Sequence, residues 1–367
     1  MTRPILYTGD IFRLQEYGGI TRYFSEVIPR LPRPSRVVVG LHQSLALETL
    51  APRAVAAARM RAFRGSSRLR ALVNRRVDSL YVKGVTGSIL HPTYYRDPTT
   101  LPLGLPVVVT VYDMAHERFP AFFRRRWWNS RDPAEWKAAL CARADRIVCI
   151  SEATRRDLIE LTRVPESKTR VIHCGVKNWS AVAPQKIPEG GGIDRPFFLW
   201  VGERHTYKNF GATLFAWANC SAARGTEILC VGGGPLSGRE RDGIAALGAA
   251  ERVRQRACSD AELRWAYEHA AGLLYTSRCE GFGLPVLEAM ALGCPVVASN
   301  GSSLPEVGGE AAIYVDASDP ESIRSGIQRC LSDGRSPERS ARLAAQAARF
   351  SWDACAAAHE TLYRELD

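Results

Sequence analysis

Long apolar runs are missing: no stretch of about 18 uninterrupted apolar residues occurs in the 367-residue chain, so no membrane-spanning helix is expected. The opening MTRPILYTGD has no charged, apolar and small-residue zones in series, and no export leader is expected either. Cysteine is lacking until Cys141. All ten, Cys141 included, stand singly, with no Cys-x-x-Cys and none paired with a histidine at ligand spacing, which points to a reducing cytosol and no structural zinc. The seven histidines are far apart and form no metal motif.

Acidic residues are the other shortage. Lys and Arg number 49 against 38 acids, giving +11, and the excess is local. Nine basic residues and a single acid, Asp78, lie between Arg53 and Lys83. A second block, Phe122-Phe123-Arg124-Arg125-Arg126-Trp127-Trp128, mixes cations with aromatics. Such patches read as contacts with nucleic acid or an anionic membrane, or as a solvated face. No helix-turn-helix, RNP motif or zinc finger supports the nucleic-acid reading, and no nucleic-acid partner is expected.

What is present is ordinary for a folded protein: 46% hydrophobic and 24% charged residues, in a length that suggests about two domains. Apolar β-type runs alternate with helical stretches. The first half carries them at Ile5 to Tyr7, Val37 to Leu41, Ser88 to Leu90, Val107 to Val111, Arg146 to Ile150 and Arg170 to Ile172. The Pro- and Gly-rich stretch from Lys177 to Pro196 interrupts the pattern and reads as a linker. The alternation then resumes at Phe197 to Val201, Glu227 to Val231, Gly272 to Thr276, Pro295 to Ser299 and Ala312 to Val315. This predicts two doubly wound parallel α/β sheets in series, whose ligand sites lie in loops beyond the carboxyl ends of the strands.

Several loops satisfy that placement. Cys279-Glu280-Gly281-Phe282-Gly283-Leu284-Pro285-Val286-Leu287-Glu288 follows a strand, and Pro285 suits the first helical position. The amides of Gly281 to Leu284 would then face a phosphate at a helix N-terminus, with Glu288 in the first turn and Glu280 in the loop before it. Both carboxylates can accept sugar or ribose hydroxyls. In Val201-Gly202-Glu203-Arg204-His205-Thr206-Tyr207-Lys208-Asn209, Arg204 and Lys208 are four apart and would converge on one diphosphate. The glycine loop Gly232-Gly233-Gly234 is a weaker signal. In the first half, Gly18-Gly19 either cradles a ligand or turns the chain, and Tyr112-Asp113-Met114-Ala115-His116 follows a strand, with His116 more often structural than catalytic.

Taken together, Glu280-x7-Glu288 around GFGLPVL, V-G-x-R-x-x-x-K-N at 201 to 209, the early Gly-Gly-Ile and S-N-G-S-S-L-P-E-V from Ser299 to Val307 resemble glycosyltransferase family 4. The resemblance extends over nearly the whole chain and is nearest to bacterial polysaccharide and O-antigen mannosyltransferases. It implies a GT-B fold: an acceptor-binding Rossmann-like domain at 1–178, a linker at 179–195, a donor-binding one at 196–348, and a helix at 349–367 returning to the first domain. It further implies a retaining, metal-independent hexosyltransferase with a nucleotide-diphospho sugar donor, GDP-mannose by subgroup, and a glycan or lipid-linked oligosaccharide acceptor. Arg204 and Lys208 would hold the diphosphate, Glu280 the sugar, the backbone of Phe282 to Leu284 phosphate and sugar, and Glu288 the ribose, with Gly18 and Gly19 beside the diphosphate. Many members have a histidine where this chain has Tyr112; Asp113 keeps its place, and His116 lies three residues on.

No cofactor or metal is expected on this reading, because cations and helix amides can stabilise the leaving diphosphate. Between Ser66 and Lys83, Leu69, Leu72, Val73, Val77 and Leu80 recur at helical spacing among Arg68, Arg70, Arg75 and Arg76. This predicts an amphipathic basic helix. With Tyr112 and the Arg124 to Trp128 block it suggests an acceptor-side surface resting peripherally on the inner face of the cytoplasmic membrane.

Overall fold

The computed structural model describes residues 2–60, 66–123, 133–187, 193, 195–204 and 206–367. Its strands in chain order are β1 (Ile5–Thr8), β2 (Ser35–Val38), β3 (Leu41–His42), β4 (Ala54–Val55), β5 (Ala58–Arg59), β6 (Ile89–Pro92), β7 (Val108–Val111), β8 (Arg146–Cys149), β9 (Thr169–Val171), β10 (Phe197–Val201), β11 (Glu227–Val231), β12 (Val253–Arg256), β13 (Gly272–Tyr275), β14 (Val296–Ser299) and β15 (Ile313–Val315). Two compact units result, one of residues 1–175 with 351–367 and one of residues 176–350.

In the first unit the parallel strands run in the order β4-β2-β1-β6, then β7-β8-β9, and a parallel bridge from Leu90 to Val107 joins the two sets. Strands β1, β6 and β7 are buried throughout. That is why their sequences, Ile-Leu-Tyr-Thr, Ile-Leu-His-Pro and Val-Val-Thr-Val, are mostly apolar on both faces rather than alternating. β3 and β5 form a small parallel pair apart from this sheet.

The final helix, Trp352–Arg364, completes this unit. Ser351 caps it by accepting from the Ala354 amide at 3.0 Å. Its inner face carries Tyr363, bonded to Tyr7 (2.8 Å) and to His91 Nδ1 (2.6 Å), and His359, whose Nε2 meets the Tyr23 hydroxyl at 2.9 Å. Arg33 donates two bonds to Glu360, at 2.7 and 2.8 Å, with the guanidinium almost wholly buried.

The second unit is a six-stranded parallel sheet in the order β12-β11-β10-β13-β14-β15. That is the doubly wound order with its switch point between β10 and β13. Strand β12, Val-Arg-Gln-Arg, was not expected. It lies at the sheet edge with only Val253 fully buried, so it carries no apolar run to read. The expected linker is also different over its described part. Trp179 is buried against Tyr267, Arg264 donates to the carbonyls of Trp179 (2.6 Å) and Val182 (2.5 Å), and Ile187 is buried. The chain passes between units at 175/176 and 350/351 instead.

Candidate functional site

In the second unit the loops after β10, β11, β13 and β14 all lie at carboxyl ends of strands. The β13 loop leads into the helix Leu284–Ala291, with Gly283 as its N-cap at φ +104°. A Cβ on Gly283 would lie 2.6 Å from Leu304 Cδ2, so both conformation and space require glycine there. The loop is held from β14: Ser303 Oγ donates to the carbonyls of Glu280 and Phe282, each at 3.0 Å, and the Glu280 amide donates to Ser302 Oγ at 3.0 Å. Ser302 itself sits at φ +58°. Sequence reasoning assigned these serines no role, although they lie within S-N-G-S-S-L-P-E-V.

Lys208 and Glu280 meet here. Lys208 Nζ donates to both carboxylate oxygens, at 2.7 and 3.0 Å, and lies 5.1 Å from the centre of the Tyr207 ring and 5.9 Å from that of Tyr275. Burial opposes the ammonium charge, but Glu280 and the two tyrosines outweigh it and hold the Lys208 pKa well above its ordinary value. The Lys208 ammonium therefore keeps its charge through neutral pH.

Arg204 does not join Lys208. Its Nε donates to Glu240 at 2.8 Å, and its other nitrogens donate to the carbonyls of Gly232 and Gly234 at 2.8 Å and of Gly233 and Pro235 at 3.2 Å. The guanidinium is buried and its donors are taken up by the glycine loop after β11, whose three glycines all have positive φ. The expected convergence of two cations is thus absent: Arg204 shapes a loop, and Lys208 faces Glu280.

Glu288 differs as well. The helix begins at Leu284, which puts Pro285 second and Glu288 in the second turn, buried, where its Oε2 accepts from Tyr267 at 3.1 Å. Phe282 is buried against Phe350, with ring centres 5.6 Å apart, so its backbone is what the loop can offer. Gly281 and Gly283 flank it, and Leu284 opens the helix.

In the first unit, Gly18 is the N-cap of the helix Gly19–Arg30 in extended conformation, and its carbonyl accepts from Thr21 Oγ1 at 2.8 Å. Tyr112, expected on the acceptor-facing side, is buried. Its hydroxyl donates to the Thr93 carbonyl at 2.9 Å, and burial pushes its pKa up. The Asp113 carboxylate accepts from the Ala115 amide at 3.0 Å, while its carbonyl accepts from the buried Lys137 at 2.8 Å. His116 stacks on Phe123 with ring centres 4.0 Å apart. Arg124, Arg125, Arg126, Trp127 and Trp128 lie outside the described residues.

Comparison with known proteins now decides the family. Residues 17–178 match the model described as Glycosyltransferase Family 4, and residues 195–333 match that of Glycosyl transferases group 1. The chain belongs to glycosyltransferase family 4. This family 4 chain is 44% identical over 108 residues to the O-antigen chain mannosyltransferase B of Escherichia coli, covering 29% of this chain and 28% of that one. It is 32% identical over 243 residues to a D-inositol 3-phosphate glycosyltransferase of Thermobispora bispora, covering 60% and 56%. The matches therefore span between about a quarter and somewhat over half of these relatives' own length. The crystal structure of Anabaena HepE in complex with UDP and glucose superposes with a TM-score of 0.71 at 18% identity, covering 99% of this chain and all of that one. The fold is GT-B.

Proposed function

We propose that this family 4 chain moves a hexose, mannose from GDP-mannose as the first candidate, from a nucleoside-diphosphate sugar to a glycan or lipid-linked saccharide in bacterial polysaccharide or O-antigen synthesis. The observation that carries the reading is the Lys208–Glu280 pair beside the Gly283-capped helix. A half-buried cation, outward helix amides and a carboxylate are what a sugar diphosphate needs. The mannosyltransferase relative supports the choice of sugar.

The diphosphate takes Lys208 from Glu280, whose freed oxygens accept sugar hydroxyls. Glu288 and Tyr267 form the polar end of the same loop-helix, for the ribose, and Arg204 keeps the glycine loop open. The C1–O bond to the diphosphate breaks as the acceptor oxygen bonds C1 on the same face. The acceptor proton passes to the departing phosphate oxygen, so the reaction retains configuration without a protein nucleophile or a metal. Asp113 and His116 are proposed on the acceptor side.

A peripheral membrane location is part of the proposal. No helix among the described residues is long and apolar enough to cross a membrane. The helix Ser66–Tyr81 exposes Leu69, Leu72 and Leu80 on one face with Arg68 and Arg76, a surface suited to anionic lipid.

The test is thermal stabilisation by GDP, UDP, dTDP and ADP and their sugars, with Lys208→Ala and Glu280→Ala alongside. One nucleotide should raise the midpoint of the native chain, and Lys208→Ala should abolish the rise. Glu280→Ala should keep the nucleotide shift and lose the extra shift given by the sugar. No shift with any nucleotide at millimolar concentration overturns the proposal.

A further inference from the structure

The first unit contains a cavity of about 800 Å3 that none of the preceding roles uses. It is lined by residues that follow the carboxyl ends of β1 and β6, among them Arg13 and Arg96, and by the helix Ser66–Tyr81. This is the side of a parallel sheet on which ligands bind, and the volume falls in the range of small-molecule sites.

Its charges fall into two groups. Arg13 donates to both oxygens of Asp78, at 2.7 and 3.1 Å; Arg96 donates to Asp78 at 2.9 Å and to Asp10 at 3.2 and 3.3 Å. Two guanidinia against two carboxylates form a neutral, rigid floor. Burial acts to raise the Asp78 pKa, yet the two arginines win and lower it, so the Asp78 carboxylate stays ionised. Arg70, Arg75 and Lys83 also line the cavity, and among the described residues none of them has an ion-pair partner.

The helix is set in register by Asn74, which exchanges two hydrogen bonds with the backbone of Leu41, at 2.7 and 3.0 Å. That fixes the neighbouring i, i+4 rows through Arg70 and through Arg75 toward the cavity. Three uncompensated cations around one concavity repel one another and focus positive potential into it. A ligand bearing two or more negative charges relieves that repulsion.

We propose that this cavity is a binding site for a phosphate or diphosphate group, with Arg70, Arg75 and Lys83 as its ligands and the Arg13–Asp78–Arg96 network as their support. Assigning the group to the acceptor substrate rests on the glycosyltransferase reading above; the anion site itself does not. The same helix turns Leu69, Leu72 and Leu80 outward, so the diphosphate arises either from a prenyl-linked saccharide or from a soluble phosphorylated one.

The test is calorimetric titration of the full chain with inorganic pyrophosphate and with farnesyl diphosphate. It is repeated on Lys208→Ala, on Arg75→Ala combined with Lys83→Ala, and on Arg75→Glu. Pyrophosphate binding should survive in Lys208→Ala, fall at least tenfold in the double variant and fall further in Arg75→Glu. The nucleotide-induced thermal shift should stay at the native value in the cavity variants, which also shows that they fold. Tighter binding of farnesyl diphosphate than of pyrophosphate supports the site with a lipid-linked ligand; equal binding supports it with a soluble one. Unchanged pyrophosphate affinity in the double variant overturns the site, as does complete loss of binding in Lys208→Ala. If no nucleotide binds but the cavity variants still lose pyrophosphate, the donor reading fails and the anion site stands.

Discussion

Gly283 and Arg204 show how single residues shape the loops after β13 and β11. Gly283→Ala places a Cβ 2.6 Å from Leu304 Cδ2 at a backbone φ of +104°. It should cost about 1–3 kcal/mol, read by urea denaturation, and weaken nucleotide stabilisation by misplacing the helix amides. Arg204→Lys keeps the charge but cannot reach Glu240 and four carbonyls at once. It should destabilise by roughly 1–2 kcal/mol because partly covered loop carbonyls and Glu240 lose their donors, and a native-like denaturation midpoint would overturn that role. Lys208 and Glu280 were legible as candidates because each sits in a glycine-containing loop between a strand and a helix start. The sequence could not distinguish Arg204 from Lys208, since spacing says nothing of which side chain turns inward.

Among the elements, the closing helix depends on a few side chains for its seat. Arg33 and Glu360 are both nearly inaccessible, and Asp367 adds a second partner at 3.1 Å. Removing one member of a buried pair strands the other, so Glu360→Ala should destabilise the first unit by about 3–5 kcal/mol. Replacing both by apolar residues should recover much of that; measured unfolding free energies of the single and double variants decide it. The buried strands of both sheets were legible as apolar runs because each is covered on two faces. The β12 edge strand was not, since three of its four side chains are only partly covered. In the segment read as a linker, the described part is held down by a single tryptophan and a few carbonyl contacts, which leave no periodicity to read.

For the whole molecule, acid should act first on the unit that contains both chain ends. His91 and His359 are wholly buried within it; burial drives the His91 pKa well down and that of His359 to about 4. Both folded values lie below that of an exposed imidazole. Between the two values the unfolded chain takes up a proton that the folded one refuses, so stability is retained above about pH 6.5 and lost as pH falls toward 4. His359 alone accounts for on the order of 3 kcal/mol. Denaturation at pH 7 and pH 4.5 should show that difference, and it should shrink in His359→Gln; an equal acid loss in the variant would remove the histidine from the explanation.

The second unit begins and ends inside the first, and its two ends are tied by a backbone bond from the Val176 amide to the Phe350 carbonyl at 3.2 Å. During synthesis, therefore, the later-made unit is the earlier one finished. Residues 176–350 have all their partners while Tyr7, Tyr23 and His91 still wait for Tyr363 and His359 to leave the ribosome. Until the last helix emerges, the nascent chain carries a finished second unit and an aromatic, unclosed first one. It is in that interval that a chaperone would find something to hold.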